Sequence, residues 1–454
     1  MFPFSIPKSV SGELSVLRTG EYRRMLNTAN WSYFDKLRGY VRLAGDDVHA
    51  FAPVPSYAYV SMALPSTPYE QLNLVKRIAR RYTQMNKIYL HDAPKGKPRI
   101  GYIGARLAHM HVSGQLFGRL LTMHSDDVEV FCYLTRVPKD DTVNWQRLRN
   151  AKNITLVDLS TLSDVDAAVR IHQDRIDALI STDGWLDDSR PMIPALTPAR
   201  YNIWWQGTAT SSGAPWMDYV VTDKDTSPTI DGWCTEKELV LPDIYYNACH
   251  CPEATRHFTR SDLGLKDDSF VFMSLNVTMK INPDVWDVWC KILLACPNSV
   301  LVLLDPGDVA QANFRKELFD RVGDGVSPDR LVFWPRVDAF ENISRMGVAD
   351  LYLDPWPMNG HTTLAESLWA GTPAITYRGE TFAQRVGASM LRSVGLKDNI
   401  HTTVESYIQH AIALYHDRDA LLLMRMGMAI KDSDMYHGDR QAKHIETFIK
   451  NNLM

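Results

Sequence analysis

The chain has 454 residues with a formal net charge of −4, and 45% of its residues are hydrophobic. This length predicts two or three domains with cores of normal size. The lack of a basic excess argues against nucleic acid as the main partner. The six cysteines show no regular spacing, which is typical of reduced intracellular thiols and argues against a disulfide framework.

The N-terminal stretch MFPFSIPKSV lacks the basic start and the continuous apolar run of a secretory signal. The sequence holds no uninterrupted run of about eighteen apolar residues, so no membrane span is predicted. We therefore expect a cytoplasmic enzyme.

Residues 1–95 are predicted to form an N-terminal helical region. Helix-type spacing covers Glu13–Asn27, Trp31–Leu43 and Pro68–Met85, whereas Ala52–Pro65 is predicted to be irregular. The sequence shows no period near 34 residues of the kind that marks tetratricopeptide repeats. An acceptor chosen through such repeats is therefore not expected.

From Arg99 onward, strand-like and helix-like patterns alternate, which predicts α/β domains with mainly parallel, doubly wound sheets. A polar, charged stretch at Ser261–Asp268 divides this alternation, so we predict a first domain over 96–262 and a second over 263–454. The strands predicted for the first domain are Arg99–Gly104, Val128–Leu134, Ile154–Leu159, Ile176–Ser181, Tyr201–Trp205, Tyr219–Thr222 and Leu239–Leu241. Those predicted for the second are Phe270–Leu275, Ser299–Leu304, Leu331–Trp334, Leu351–Leu353 and Ala374–Thr376. The final stretch, Val404–Met454, is predicted to form two or three amphipathic helices.

A strand, a loop and a helix are predicted within Ala349–Glu380. The loop delivers Asn359-Gly360-His361-Thr362-Thr363 to a helix N-terminus, where free N–H groups and the helix dipole favour an anion. Glu366 lies one turn further along the same helix face, where it can accept a hydrogen bond from a ribose hydroxyl. A nucleoside diphosphate with an attached sugar fits these groups, although a simple N-cap is the competing interpretation.

A lysine, Lys280, lies between the first predicted strand of the second domain and a helix opened by Pro283. Its cation can neutralise a leaving diphosphate, although most exposed lysines are merely solvated. Two short motifs offer weak metal sites. Asp164-Val165-Asp166 is more typical of a helix cap, and Cys249-His250-Cys251 lacks the second ligand pair of a zinc site. We predict a metal-free reaction without a cofactor.

The stretch NGHTTLAESLWAGTPAITYRGETFAQRVGASML resembles the donor-site signature of the O-GlcNAc transferase and SPINDLY group of glycosyltransferases. The Lys-Ile-Asn-Pro sequence at Lys280 resembles the lysine-bearing loop of the same family. A longer patch from Thr182 to Pro228 resembles the family's first domain almost throughout. The resemblance implies the GT-B fold, in which two Rossmann-like domains face each other across a cleft and a C-terminal helix often crosses back to the first domain.

The resemblance also implies roles for individual residues. Lys280 and His111 are the catalytic candidates, and His111 would bind the sugar or assist deprotonation. Gly207 and Thr208 are possible sugar or acceptor contacts. The donor-binding candidates are Asn276, Arg345, Asn359, Gly360, His361, Thr362, Thr363 and Glu366. The family's O-GlcNAc transferases have a histidine where this chain has Asn342 and an aspartate where it has Glu366, whereas SPINDLY-like members carry glutamate there.

These observations predict an inverting, metal-independent glycosyltransferase that moves a sugar, with UDP-GlcNAc as the expected donor, onto a protein or peptide hydroxyl of Ser or Thr. Another donor, UDP-glucose or GDP-fucose, and other acceptors, Asn, a small molecule, a glycan or a modified nucleic acid, remain alternatives. A non-catalytic scaffold that binds a nucleotide sugar is the alternative outside the enzyme class. The donor base, the acceptor and the oligomeric state stay open at this point.

Overall fold

The computed structural model describes residues 24–32, 34–44, 55–83, 96–252 and 256–452. The described part of the chain before the first sheet includes the helices α1 (Phe34–Ala44), α2 (Ser56–Met62) and α3 (Pro68–Ala79). Most of the predicted helix Glu13–Asn27 lies outside the described residues. The prediction of irregular structure over Ala52–Pro65 is wrong for Ser56–Met62, because burial of its apolar face on the protein stabilises a helix that its own sequence favours only weakly.

The first domain contains a seven-stranded parallel sheet in the order β3-β2-β1-β4-β5-β6-β7. Its strands are β1 (Arg99–Gly104), β2 (Glu129–Leu134), β3 (Ile154–Asp158), β4 (Ala178–Ser181), β5 (Tyr201–Trp204), β6 (Tyr219–Asp223) and β7 (Lys237–Leu241). The intervening helices are α4 (Val112–Leu120), α5 (Val143–Asn150), α6 (Asp164–Gln173) and α7 (Met192–Ala195). All seven strands agree with the sequence prediction to within two residues at each end.

The second domain contains a six-stranded parallel sheet in the order β10-β9-β8-β11-β12-β13. Its strands are β8 (Phe270–Ser274), β9 (Ser299–Leu304), β10 (Leu331–Trp334), β11 (Leu351–Leu353), β12 (Ala374–Tyr377) and β13 (Ile400–His401). Its helices are α8 (Pro283–Ala295), α9 (Asp308–Val322), α10 (Ala339–Met346), α11 (Thr362–Trp369), α12 (Val386–Ser393), α13 (Val404–His416) and α14 (Arg418–Gly427). The sequence predicted five of these strands, β8 to β12. It did not predict β13, because two residues are too few to show an apolar strand pattern. The strand order reverses beside the first strand of each sheet, which is where ligands bind in doubly wound folds.

The last helix, α15 (Gly438–Asn452), leaves the second domain and packs on the first. Glu446 accepts hydrogen bonds from His124 and Ser125, and the Phe448 ring packs edge-on against Tyr219. The three C-terminal helices agree with the prediction. The last of them was predicted as part of the second domain, but its contacts place it on the first domain.

The N-terminal segment also touches both domains. Trp31 packs against Trp286 and Phe314 of the second domain, whereas Tyr82, just after α3, stacks on Trp185 of the first. No helix among the described residues is long and apolar enough to cross a membrane.

Candidate functional site

A cavity of about 470 Å³ lies between the two sheets and is lined from both domains. Its walls come from loops that follow the carboxyl ends of strands, because β1, β8, β10 and β11 all end towards it. Of the predicted catalytic and donor-binding residues, those on its wall are His111, Asn276, Lys280, Arg345, His361, Thr362, Thr363 and Glu366.

Lys280 reaches the cleft from a short 3-10 turn, Thr278–Lys280, that follows β8. The turn is fixed on its C-terminal side because the Asn282 side chain caps α8 at Val285 N–H and also donates to the Trp356 carbonyl. The Lys280 side chain is buried, and its Nζ donates to the backbone carbonyl of Asn359 at 2.8 Å. The cation is therefore held in one place at the base of the donor loop.

Asp354, at the end of β11, is the buried carboxylate beside Lys280. Its Oδ1 accepts from Gly360 N–H at 2.6 Å and its Oδ2 accepts from the Thr376 hydroxyl at 2.6 Å. Burial lowers the pKa of Lys280 and raises the pKa of Asp354, while their opposite charges favour the ionised form of both. An anionic diphosphate placed beside Lys280 adds a further negative charge and favours the ammonium form.

The N-terminus of α11 presents two hydroxyls to the cleft. Thr362 Oγ1 lies 2.8 Å from the Tyr246 hydroxyl of the first domain, and Thr363 Oγ1 donates to Asn276 Oδ1 at 2.9 Å. The Tyr352 hydroxyl joins this group, because it accepts from Asn276 Nδ2 and lies 3.1 Å from Thr363 Oγ1. The hydroxyls are thus positioned by neighbours, and they lie at a helix N-terminus, where the first backbone N–H groups have no partner within the helix.

His361 precedes this helix, and its Nδ1 lies 3.0 Å from the Asn359 carbonyl. A carbonyl only accepts, so Nδ1 carries the proton and Nε2 of the neutral ring is an acceptor. Burial, and then the nearby Lys280 cation, lower the pKa of His361 to about 3.

Glu366 lies one turn into α11, as predicted, and belongs to a polar network. Asn342 Nδ2 donates to Glu366 Oε2 at 3.1 Å, and His250 Nε2 lies 3.4 Å from Oε1. Arg345 in turn donates from Nε and Nη2 to Asn342 Oδ1, and from Nη1 to the Pro335 carbonyl. Arg345 therefore orients Asn342 and the loop after β10, and its guanidinium also stacks over Trp334 at 5.3 Å.

On the first-domain side, His111 is the N-cap residue of α4. Its Nε2 lies 2.6 Å from Nη1 of Arg106. Burial, and then the Arg106 cation, lower the pKa of His111 to about 4, so the ring is neutral at pH 7.

Three predicted contacts do not lie on the cavity wall. The Asn359 side chain is fully buried, where it donates to the Pro355 carbonyl and accepts from Gly387 N–H. Gly360 is buried, and a Cβ at this position would lie 2.6 Å from the Tyr352 hydroxyl and 3.0 Å from Asp354 Oδ1, so a larger residue has no room. Thr208 is buried behind Gly207, which does line the cavity. These three residues are buried in the layer beneath the cavity wall and support the residues that line it.

The two short motifs considered as metal sites have ordinary contacts. Asp164 opens α6 and pairs with Arg190, while Cys249 and Cys251 are buried thiols beside a loop. Among the residues that the structure describes, no group of three or more His, Cys, Asp or Glu side chains is arranged to hold a metal ion.

Four residues that the structure places in or beside the cleft were not singled out from the sequence: Arg106, Asp188, Tyr246 and Asp354. His250 was considered only as part of a metal motif, and the structure places it 3.4 Å from Glu366. Asp354 could have been found, since it is a carboxylate at the carboxyl end of a buried strand directly before the donor loop. Arg106 and Asp188 pair across 82 positions, and Tyr246 and Thr362 meet across 116, so no local pattern indicates these contacts.

The sequence matches the model of glycosyl transferase family 41 over residues 66–251 and 247–442. It is 33% identical over 325 residues to the probable UDP-N-acetylglucosamine–peptide N-acetylglucosaminyltransferase SEC of Arabidopsis thaliana, covering 70% of this chain and 33% of that protein. It is 27% identical over 443 residues to the UDP-N-acetylglucosamine–peptide N-acetylglucosaminyltransferase of Caenorhabditis elegans, covering 72% of this chain and 38% of that protein. A mutant of the O-GlcNAc transferase of Thermobaculum terrenum matches the structure with a TM-score of 0.77 and 25% identity, covering 93% of this chain and 82% of that chain. This chain thus spans about a third of the length of the two curated relatives.

Proposed function

Because the chain belongs to glycosyl transferase family 41 and has the predicted GT-B fold, we propose that it transfers N-acetylglucosamine from UDP-GlcNAc to Ser or Thr hydroxyls of proteins. The printed names of its relatives give this donor and a peptide acceptor for those proteins. The activity of this chain is inferred from them and from its own cleft.

One observation carries the proposal: a buried lysine and a helix N-terminus meet in the same cavity. Lys280 Nζ and the hydroxyls of Thr362 and Thr363 come from two different loops of the second domain and line one wall. Both features favour an anion with several oxygens, and a diphosphate is the anion that a nucleotide sugar presents. Glu366 lies further along the same helix and can accept a hydrogen bond from the ribose.

The proposed reaction is a direct displacement with inversion. The acceptor oxygen forms a bond to the anomeric carbon while the bond between that carbon and the diphosphate oxygen breaks. The electron pair of the broken bond leaves with UDP, and the hydroxyl proton of the acceptor passes to a base at the edge of the first domain. Lys280 and the α11 terminus stabilise the charge that develops on UDP. His111, on the opposite wall, binds the sugar or accepts the proton.

We propose that the reaction needs no metal ion, because Lys280 and the helix terminus supply the positive potential at the leaving group. We also propose that the protein is located in the cytoplasm. The six cysteines of the sequence are all free thiols in the structure, as expected in a reducing compartment.

The test is sugar transfer by the purified chain. We would incubate it with UDP-GlcNAc, EDTA and a library of Ser- and Thr-containing peptides, and identify modified residues by mass spectrometry. UDP-glucose and GDP-fucose, in parallel reactions, address the alternative donors. The proposal predicts N-acetylhexosamine on hydroxyl residues of peptides and release of UDP.

Two lysine variants make the test specific. Lys280→Met removes the cation from the cleft and should lower transfer by at least about a hundredfold, the scale of losing one fixed transition-state donor. Lys291→Met is the matched control, because Lys291 is an exposed α8 residue that pairs with Asp287 outside the cleft. Equal transfer by both variants would contradict the proposal, as would sugar transfer from GDP-fucose alone.

A further inference from the structure

Arg106 and Asp188 form an ion pair at the mouth of the cleft, on the first-domain side. Arg106 Nε and Nη2 both donate to Asp188 Oδ2, at 2.9 and 2.6 Å. Arg136 also reaches this carboxylate, at a longer 3.4 Å. Asp188 therefore orients the guanidinium and leaves Nη1 of Arg106 free to point elsewhere.

That remaining nitrogen, Nη1, lies 2.6 Å from Nε2 of His111. A guanidinium only donates, so Nε2 must accept and cannot carry a proton. The other ring nitrogen, Nδ1, faces the N–H of Ser113 at 3.4 Å, which is the helix-capping contact. A neutral imidazole cannot accept at both nitrogens, and the short charged contact outweighs the long neutral one.

We propose that Arg106, held by Asp188, is a positioning residue that fixes His111 in the tautomer with the proton on Nδ1 and a lone pair on Nε2. This inference rests on the proposed function for its catalytic consequence, but its structural content does not. His111 and Arg106 both line the cleft. In that tautomer the basic nitrogen is Nε2, and an acceptor hydroxyl that replaces Nη1 finds a lone pair ready for its proton.

Without Arg106 the opposite tautomer becomes favourable. Nδ1 would then accept from Ser113 N–H as a normal helix cap, and the proton would move to Nε2. A ring with Nε2–H facing the cleft cannot take the acceptor's proton. Removing Arg106 should therefore slow transfer, even though losing a neighbouring cation makes the ring more basic.

The charged and titratable groups that face His111 are few. Arg106 and His109 lie in the same loop, and Asp188 lies in the loop after β4. Burial and Arg106 lower the pKa of His111, whereas Asp188 raises it. Arg136 touches Asp188 and does not touch His111, which makes Arg136→Met the matched control for Arg106→Met.

The test is nitrogen-15 NMR of histidine-labelled protein, with the His111 ring assigned by loss of its signal in His111→Asn. In the wild type without substrate, we expect a protonated Nδ1 and an unprotonated Nε2. Arg106→Met should move the proton to Nε2 and raise the ring pKa by at least one unit, whereas Arg136→Met should leave the tautomer as in the wild type. A proton on Nε2 of the wild type would overturn the inference without any variant.

Turnover then tests the catalytic consequence. Arg106→Met should lower the rate of sugar transfer by about tenfold or more with the KM for UDP-GlcNAc within twofold of the wild-type value. A rate equal to or above that of the wild type would overturn the positioning role. If the wild type transfers no sugar, the proposed function fails, and the NMR experiment still decides whether Arg106 sets the tautomer.

Discussion

The backbone carbonyl of Asn359 accepts from two cleft residues at once. Lys280 Nζ donates to it at 2.8 Å and His361 Nδ1 lies 3.0 Å away. The carbonyl therefore fixes both the position of the lysine and the tautomer of the histidine. Because His361 Nδ1 carries the proton, Nε2 of the neutral ring is an acceptor and could donate to an anion only if the ring gained a second proton.

We predict that UDP-GlcNAc binding is coupled to proton uptake by His361. The pKa of the free ring is about 3, and a diphosphate beside it raises that value because a negative charge favours the imidazolium. Affinity should therefore increase as the pH falls through the pKa of the ring in the complex, which lies above 3. Calorimetry in buffers of different ionisation enthalpy measures the uptake directly.

The control for this prediction is a histidine outside the cleft. His361→Asn should remove its share of the proton uptake, whereas His257→Asn should bind as the wild type does, because His257 is exposed and does not line the cleft. Identical uptake in the wild type and in His361→Asn would show that another group takes the proton.

At the level of the elements, α15 contacts the first domain through the buried carboxylate of Glu446. Glu446 accepts from His124 Nδ1 at 2.8 Å, from Ser125 N–H at 2.9 Å and from the Ser125 hydroxyl at 2.6 Å. The Tyr102 hydroxyl lies 2.8 Å from the other nitrogen of His124. Burial alone would raise the pKa of Glu446, but the hydrogen bonds from His124 and Ser125 outweigh it and lower the pKa to about 2.

We predict that Glu446→Gln lowers the free energy of unfolding at pH 7 by about 2 kcal/mol, since it weakens charge-assisted bonds to buried donors. The folded-state pKa lies below the unfolded value of 4.5, so this stabilisation is present above pH 4.5 and is lost as the pH falls towards 2. The stability difference between variant and wild type should therefore shrink below pH 4.5 in urea denaturation. A difference that is the same at pH 7 and pH 3.5 would contradict the assignment. The exposed Glu405→Gln is the control.

The helix α2 shows why one element escaped prediction. Its sequence, SYAYVSM, spans only seven residues, and aromatic, β-branched and hydroxyl residues all have modest helix propensity. Burial of Tyr57, Val60 and Met62 stabilises the helix in the folded protein. By contrast, α11 is marked by apolar spacing and by glycine at each end, which predict a helix over His361–Ala370, and the structure has Thr362–Trp369.

In the whole molecule, the cleft is bordered by two domains that are joined at several places. Arg392 of the second domain pairs with Asp225 of the first at 2.7 Å, and Ser389 donates to Asp223 at 2.6 Å. The C-terminal helix and the N-terminal segment add two further connections. The two walls of the cleft are therefore held facing each other by contacts outside the cleft itself.

In the whole molecule, some features could be predicted from the sequence and others could not. Both parallel sheets follow from apolar strands alternating with amphipathic helices, and the donor loop follows from turn residues before a helix. The contacts between loops of the same domain do not follow: Arg106 pairs with Asp188, 82 positions away, and Lys280 donates to Asn359, 79 positions away. Only the packing of the loops brings these partners together, so burial of Lys280 and the constraint on His111 had no sequence signal.

The proposed reaction requires that Lys280 and the α11 terminus hold the diphosphate of a nucleotide sugar. Calorimetric titration of UDP-GlcNAc into the wild type, Lys280→Met and Lys291→Met, all in EDTA, tests this directly. We predict that the wild type and Lys291→Met bind alike, while Lys280→Met binds at least about tenfold more weakly, a loss of about 1.4 kcal/mol. Equal affinity in Lys280→Met, or binding by the wild type only when a divalent metal is added back, would contradict the account.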